Sequence, residues 1–414
     1  QVLMNLSKLG DLREQSDKDI AALEKAWNAA CRATVNPNSA PQIQQYFYTT
    51  LRHKPYIRNG RITCDDKALK RLAAKGVDEA KILLKYRAAT KLKGTYLDMS
   101  FDTDNRIRCA YNPVGTAQGR ISSSKHIFGT GGNQQNQPPA MKALQVADPG
   151  YILVNQDLGQ AENRVVAYIS GEAAMIEAFE KKIDIHRQTA AMIYGVAMED
   201  VSEEQRDWGK RANHGLNYDL GYKSFAMYYQ IEATEANHIV ERYHAVYPGV
   251  REWHASIRDE LNRNGRTLIN CLGRRRVFKG RWNHDLFKVA YSYVPQSTVA
   301  AKMNLDGVCY LYERQDLFPE VEFLNTVHDS IQYQVPLAAG LWRVVEIIKE
   351  LKKSLERPLE WRGRTFAVPV DTELGFNFNK KTMLEWKAST VESTDESRLA
   401  EGLEQYVNGS ARAA

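Results

Sequence analysis

Apolar residues recur at helical spacing through Ile20, Leu23, Trp27, Ala30 and Cys31, which predicts an amphipathic helix that Ser16 can cap. A polar break from Pro37 to Pro41 follows. The helical period returns from about Asp65 to Tyr96, through Leu69, Leu72, Ala73, Ile82, Leu83 and Leu84. From Tyr111 to Pro139 the pattern gives way to Gly, Ser, Asn, Gln and Pro, the composition of an irregular loop with little core. The apolar run Tyr151 to Val154 reads as a buried strand, with Asp157 close behind it. From Ile183 to about Arg263 the pattern is mostly helical. A second strand region runs from Val321 to Val335, where Ile331, Tyr333 and Val335 alternate with Gln332 and Gln334, the period of a half-buried strand. Asn325 to Ser330 leaves room for a tight hairpin turn before that alternation. After Trp386 the chain turns polar and is expected to fray.

The length of 414 residues fits two or three domains. No apolar run approaches the ~18 residues of a membrane span, so no membrane partner is expected. The chain opens on Gln1 with no charged-then-apolar leader, as a processed or cloned fragment would. Five scattered cysteines without a CxxC pair point to reduced thiols in a cytoplasmic setting rather than to disulfides or zinc. The net charge of +6 says little, but its distribution says more. Lys67 to Lys93 holds nine Lys/Arg against two acids, and Asn264 to Lys288 holds seven against one. Two such segments can line a groove for a polyanion, although two solvated helix faces would read the same way.

Two carboxylates occupy similar settings, Asp157 at the end of one strand and Asp329 at the turn into another. On neighbouring strands they would face one spot, where their mutual repulsion calls for cations between them. Mg²⁺ suits such a pair because it takes oxygen ligands and leaves positions for water and phosphates. Taken singly, each Asp is better explained as a turn residue. A third element changes that balance. Arg206, Lys210, His214 and Tyr218 stand four apart and form a stripe along one side of a helix. A cationic stripe ending in rings suits a nucleoside triphosphate. Gly209 and Gly215 weaken that helix, which hints at close approach by something else.

Seven segments together resemble DNA polymerase family A. Gln156-Asp-Leu-Gly-Gln-Ala-Glu-Asn-Arg164 resembles its motif A, Arg206-xxx-Lys210-xxx-His214-Gly-xx-Tyr218 its motif B, and Thr326-Val-His-Asp-Ser330 its motif C. Asp184-Ile-His186, Gln118 to Ser124 with Asn133 to Pro138, Thr267 to Phe278, and Lys85 to Thr95 resemble further family segments. The likeness runs in family order over about residues 10–386. It implies an α+β right-hand polymerase fold with an antiparallel-sheet palm, helical fingers and a helical thumb. The expected divisions are 1–100 for the N-terminal segment and thumb, 101–182 and 295–388 for the palm, 183–294 for the fingers, and 389–414 for a polar tail. The implied activity is template-directed addition of dNTPs to a primer, with pyrophosphate release and no exonuclease in this chain.

The resemblance also implies residue roles. Asp157, Asp329 and the Leu158 carbonyl would hold two Mg²⁺ ions, with Mn²⁺ as a substitute. Lys210 would contact the triphosphate and act as general acid toward pyrophosphate, with Arg206 and His186 on its outer phosphates. Glu162 would exclude the ribose 2′-OH while bonding Tyr218, and Gln160 and His214 would line the nucleotide site. Arg120, Gln296, His328, Arg274 and Arg275 would contact primer–template DNA, and Lys91 and Lys93 would grip its backbone from the thumb. A monomer working with replication accessory proteins in a bacterial or phage-infected cell is the expected setting. Three positions depart from the family pattern: His214 replaces Phe or Tyr, Ser330 replaces Glu, and Asp219 replaces Gly. The loop from Lys125 to Gly132 is also longer than usual, and with His214 gives the chain a phage-like look. A binding protein on the same scaffold, a two-metal nuclease and a single-subunit RNA polymerase are the competing readings. The nuclease leaves the Arg–Lys–Tyr stripe unexplained, and Glu162 with Tyr218 favours DNA over RNA synthesis.

Overall fold

A computed structural model describes residues 1–58 and 60–411, which form two compact units. One comprises Leu6–Met99 and Gly221–Val240, the other Gln1–Asn5, Ser100–Leu220 and Glu241–Ala414.

The first unit is mainly helical. Its opening helix α1 spans Leu6–Ala30, ten residues earlier than the Ser16 start expected from sequence. Ser16 lies inside the helix and is buried, because Leu9, buried as well, carries the apolar stripe further toward the N-terminus. Trp27, on the same stripe, is fully buried with Ile43, Phe47, Leu69 and Leu83, and its indole N–H donates to the Val35 carbonyl at 2.7 Å. The helical pattern expected over 65–96 divides into two helices. Asp65 caps α2 (Asp66–Ala73) by accepting from the Ala68 amide at 3.0 Å. Gly76, at φ 81°, then turns the chain into α3 (Asp78–Lys91). Residues 221–240 fold with these early helices, and Lys67 Nζ sits 5.5 Å from the centre of the Tyr228 ring.

The second unit is built on a five-stranded antiparallel sheet. Its strands in chain order are β1 (Tyr151–Leu158), β2 (Glu322–Val327), β3 (Ser330–Pro336), β4 (Val370–Gly375) and β5 (Leu384–Trp386), and their spatial order is β2-β3-β1-β4-β5. The half-buried reading of β3 does not hold, because Gln332 and Gln334 are buried as well. Their amides are satisfied inside the sheet: Asn325 donates to Gln332 at 3.2 Å, and Gln334 donates to Glu322 at 2.8 Å and Asp148 at 3.0 Å. Similarly, residues 111–139 are more ordered than their composition suggests. Ala110–Asn112 pairs with Ser122–Ser124, and Gln134, Gln135 and Gln137 are buried polar residues.

Helices α4 (Ala161–Ser170), α5 (Ile185–Tyr194), α6 (Glu203–Leu216), α7 (Pro248–Arg263) and α8 (His284–Lys302) lie between β1 and β2 in the chain. Helix α9 (Leu341–Leu355) buries Val344, Ile348 and Leu351. The expected frayed tail is instead helical. Helix α10 (Glu396–Ala411) buries Leu399 and Leu403, one turn apart, and Glu396 pairs with Lys349 of α9 at 3.0 Å. Its polar composition belongs to an amphipathic surface helix. Among the described residues no helix is long and apolar enough to cross a membrane, and the five cysteines are free.

Candidate active site

The two acids meet at the edge of adjacent strands. β1 and β3 pair antiparallel with Asp157 opposite Ser330. Asp329 is the last residue of the turn before β3, and its carbonyl accepts from the Leu158 amide at 2.9 Å. His328 makes the turn possible by taking φ 56°. The register therefore brings Asp157, Leu158 and Asp329 together. On the other side of β1, Asp157 stands opposite Asp371 of β4, which pairing places on the same face of the sheet. The sequence reading missed Asp371 and Glu373, although Val370, Thr372 and Leu374 alternate with them at strand period.

Burial and the charge of Asp329 push the Asp157 carboxyl up to about 7, against the pull of Lys380. Burial likewise raises Asp329, with the Glu162 charge adding to it. Lys380 directs its ammonium to Glu373 at 2.9 Å, and Glu373 also accepts from Asn155 at 2.9 Å. These groups and Lys142 line a cavity of about 150 Å³ beside the two aspartates. A larger concavity of about 950 Å³ over α9 carries no comparable chemistry, because its charges pair among themselves, as in Lys352–Glu392 at 3.1 Å.

Two half-buried carboxylates and a nearby main-chain carbonyl form a hard, open donor set. No group of three or more His, Cys, Asp or Glu placed to hold a metal occurs among the described residues. Such a set fits Mg²⁺, which leaves much of its coordination to water and phosphate oxygens, and does not fit a closed zinc site.

Glu162 lies at the start of α4, just after Gln160, which takes φ 52° at the helix cap. Its carboxylate accepts from Arg120 and from the Tyr218 hydroxyl, the latter at 2.7 Å. Arg274 rests against Gly119, beside Arg120, where a Cβ would come within 2.7 Å of its guanidinium carbon. A glycine at 119 thus leaves room for the Arg274 guanidinium.

Helix α6 carries the cationic stripe. Ser202 and Gln205 close a reciprocal capping box at its start. Arg206 pairs with Asp184 at 2.6 Å, and Asp184 also caps α5 through the His186 and Arg187 amides. Lys210 and His214 are exposed, while Tyr218 lies two residues beyond the helix end. His186 is buried, and its Nδ1 meets Asn213 Nδ2 at 3.0 Å. Desolvation holds its imidazole down at about 4, so the ring is neutral near pH 7. Gly209 does permit a close approach, but by protein: a Cβ there would sit 2.1 Å from the His186 carbonyl oxygen.

Gln296 is half-exposed on α8, and Arg275 is exposed on the strand Arg275–Val277. Lys91 and Lys93 belong to the other unit, where Lys93 pairs with Asp17 at 2.8 Å.

Comparison with known proteins follows the same outline. The profile described as DNA polymerase family A matches residues 6–380. DNA polymerase I of Pseudomonas aeruginosa is 28% identical over 386 residues, covering 89% of this chain and 40% of its own. The thermostable DNA polymerase I of Thermus thermophilus is 31% identical over 309 residues, or 71% of this chain and 35% of its own. The chain therefore spans less than half the length of these two relatives. A solved structure described as the POL domain of Pol1 from M. smegmatis, in complex with DNA primer-template and dNTP, matches with a TM-score of 0.80 and 25% identity. That match covers 91% of this chain and 67% of the other.

Proposed function

The chain belongs to DNA polymerase family A, and on that footing we propose that it extends a primer on a DNA template by adding dNTPs. The observation that carries this reading is the convergence of Asp157 and Asp329 on paired strands, joined by the 2.9 Å bond from the Leu158 amide to the Asp329 carbonyl.

In the reaction, the primer 3′-oxygen attacks the α-phosphorus of the dNTP, loses its proton to solvent water, and displaces pyrophosphate as the α–β bridging bond breaks. Asp157, Asp329 and the Leu158 carbonyl would hold two Mg²⁺ ions, with Mn²⁺ as a substitute. When bound, such ions neutralise charge on the attacking and leaving oxygens.

The chain's own residues would do the rest. Lys210, on the exposed side of α6, would meet the triphosphate and give a proton to the departing pyrophosphate. Arg206 would exchange its Asp184 partner for phosphate oxygens. His186, neutral in its buried setting, would donate a hydrogen bond rather than a full charge. Glu162 and Tyr218 would close on the sugar, with Gln160 and His214 beside the nucleotide. Arg120, Arg274, Arg275, Gln296 and His328 would contact primer–template without reading its sequence, as copying requires. Lys91 and Lys93 would grip phosphates from the early helices within residues 1–100, which would serve as the thumb. Residues 101–182 and 295–388 would form the palm, and 183–294 the fingers.

Primer extension with Mg²⁺, comparing dNTPs with rNTPs and DNA with RNA templates, tests the reading. Efficient dNTP addition on DNA supports it. No addition on any template, or a preference for rNTPs, rejects it.

A further inference from the structure

Asp219 follows Tyr218 directly and holds φ at 60°, a left-handed conformation that glycine adopts freely and that costs energy for a residue with a Cβ. A glycine would satisfy the backbone here, so the carboxylate needs its own explanation. The Asp219 side chain is only 9% exposed and reaches two neighbouring helices. Arg251, in the first turn of α7, donates to Oδ1 at 2.6 Å. His284 Nδ1, at the first residue of α8, lies 3.6 Å from Oδ2.

On the other side of Tyr218, Asn217 is tied down as firmly. Its amide nitrogen donates to Asn163 of α4 at 2.8 Å, and its amide oxygen accepts from the Tyr243 hydroxyl at 2.7 Å. Its carbonyl meets His254 Nε2 of α7 at 2.9 Å. The Tyr218 amide bonds the Gly215 carbonyl at 3.3 Å, and the Asp219 amide bonds that of Leu216 at 3.2 Å. Residues 217–219 are therefore one hydrogen-bonded turn that closes α6, with Tyr218 between two pinned neighbours.

The geometry points to Asp219 as a positioning residue for sugar selection. With Arg251 and His284 it pins the turn that carries Tyr218, and so fixes where the Tyr218–Glu162 pair meets the sugar of the incoming nucleotide. This rests on the polymerase reading above. Asp219 touches no substrate, and its effect passes through Tyr218. The charge-assisted bond from Arg251 to a buried carboxylate is strong enough to hold such a turn.

The test is steady-state incorporation of a dNTP and the matching rNTP on one DNA primer–template, with melting curves for every variant. Asp219→Gly removes the carboxylate while accepting the same φ. It is expected to lower the dNTP-to-rNTP ratio of kcat/KM roughly tenfold, or about 1.4 kcal/mol, mainly through a higher dNTP KM. Arg251→Met should do the same, the double variant should be no worse than either, and Arg251→Lys should restore most of the ratio. Arg251→Met leaves the strained backbone residue in place and decides the matter if Asp219→Gly does not fold. A wild-type ratio in a folded variant, even with a lowered melting temperature, would mean a merely structural pin and overturns the inference. A wild-type protein that adds neither nucleotide rejects the polymerase reading instead.

Discussion

The Tyr218 hydroxyl donates to Glu162 Oε2 across 2.7 Å, although 56 positions separate the two residues. Glu162 shares its other oxygen with Arg120, so a single carboxylate links the end of α6, the start of α4 and the segment before residue 124.

Losing this link should relax sugar choice. A hydrogen bond to a charged group is worth about 1.5–3 kcal/mol. Glu162→Ala is accordingly expected to raise rNTP incorporation relative to dNTP by roughly ten- to a hundredfold. Tyr218→Phe should shift the ratio in the same direction by less, since Arg120 still holds the acid. Competition between dNTP and rNTP on one primer–template measures both, and an unchanged ratio in Glu162→Ala removes its gate role.

Gly209→Ala should separate two helices. The added methyl would sit 2.1 Å from the His186 carbonyl oxygen, which is backbone and cannot swing aside. Overpacking of this kind costs about 1–3 kcal/mol. The melting temperature should fall, and the dNTP KM should rise as His186 and Asn213 shift. A variant with wild-type melting and KM would show that α5 and α6 are less tightly joined than this contact indicates.

Acid should destabilise the protein through its buried histidines. Desolvation lowers His186 and His254 to about 4, and lowers His244 further, from an ordinary value near 6.5. Their stabilisation is present above the unfolded value and is lost as pH falls from about 6.5 toward 4. Asp157 acts in the opposite sense. Its folded value near 7 exceeds the unfolded 3.8, so without metal its contribution declines as pH rises from about 4 to 7. His244 also leaves both ring nitrogens buried without hydrogen-bond partners. His244→Leu should therefore raise stability by about 1 kcal/mol near pH 7 and by more at pH 5. Thermal melts at both pH values check this, and a lower melting temperature at pH 5 would contradict it.

How much of this was legible in the sequence depended on what each residue was answering to. Asp157, Asp329 and the α6 stripe were legible because strand and helix periods alone assign them to element ends and faces. The start of α1 was not, because a serine buried in mid-helix looks like a cap when tertiary packing is unseen. Gln332 and Gln334 looked solvated because sequence does not show that Asn325, Glu322 and Asp148 would satisfy them. The tail looked frayed because Leu399 and Leu403 are the sparse apolar face of a largely polar helix. The Asp219–Arg251 pair joins residues 32 apart, a partnership no local pattern announces.

The central claim is that Asp157 and Asp329 act together in metal-dependent chemistry on the primer end. Mg²⁺-dependent single-nucleotide extension, measured beside primer–template affinity in wild type, Asp157→Ala and Asp329→Ala, tests it most directly. Each substitution is expected to cut extension by on the order of a thousandfold or more while leaving DNA affinity within about threefold. Near-wild-type extension by either variant would contradict the account.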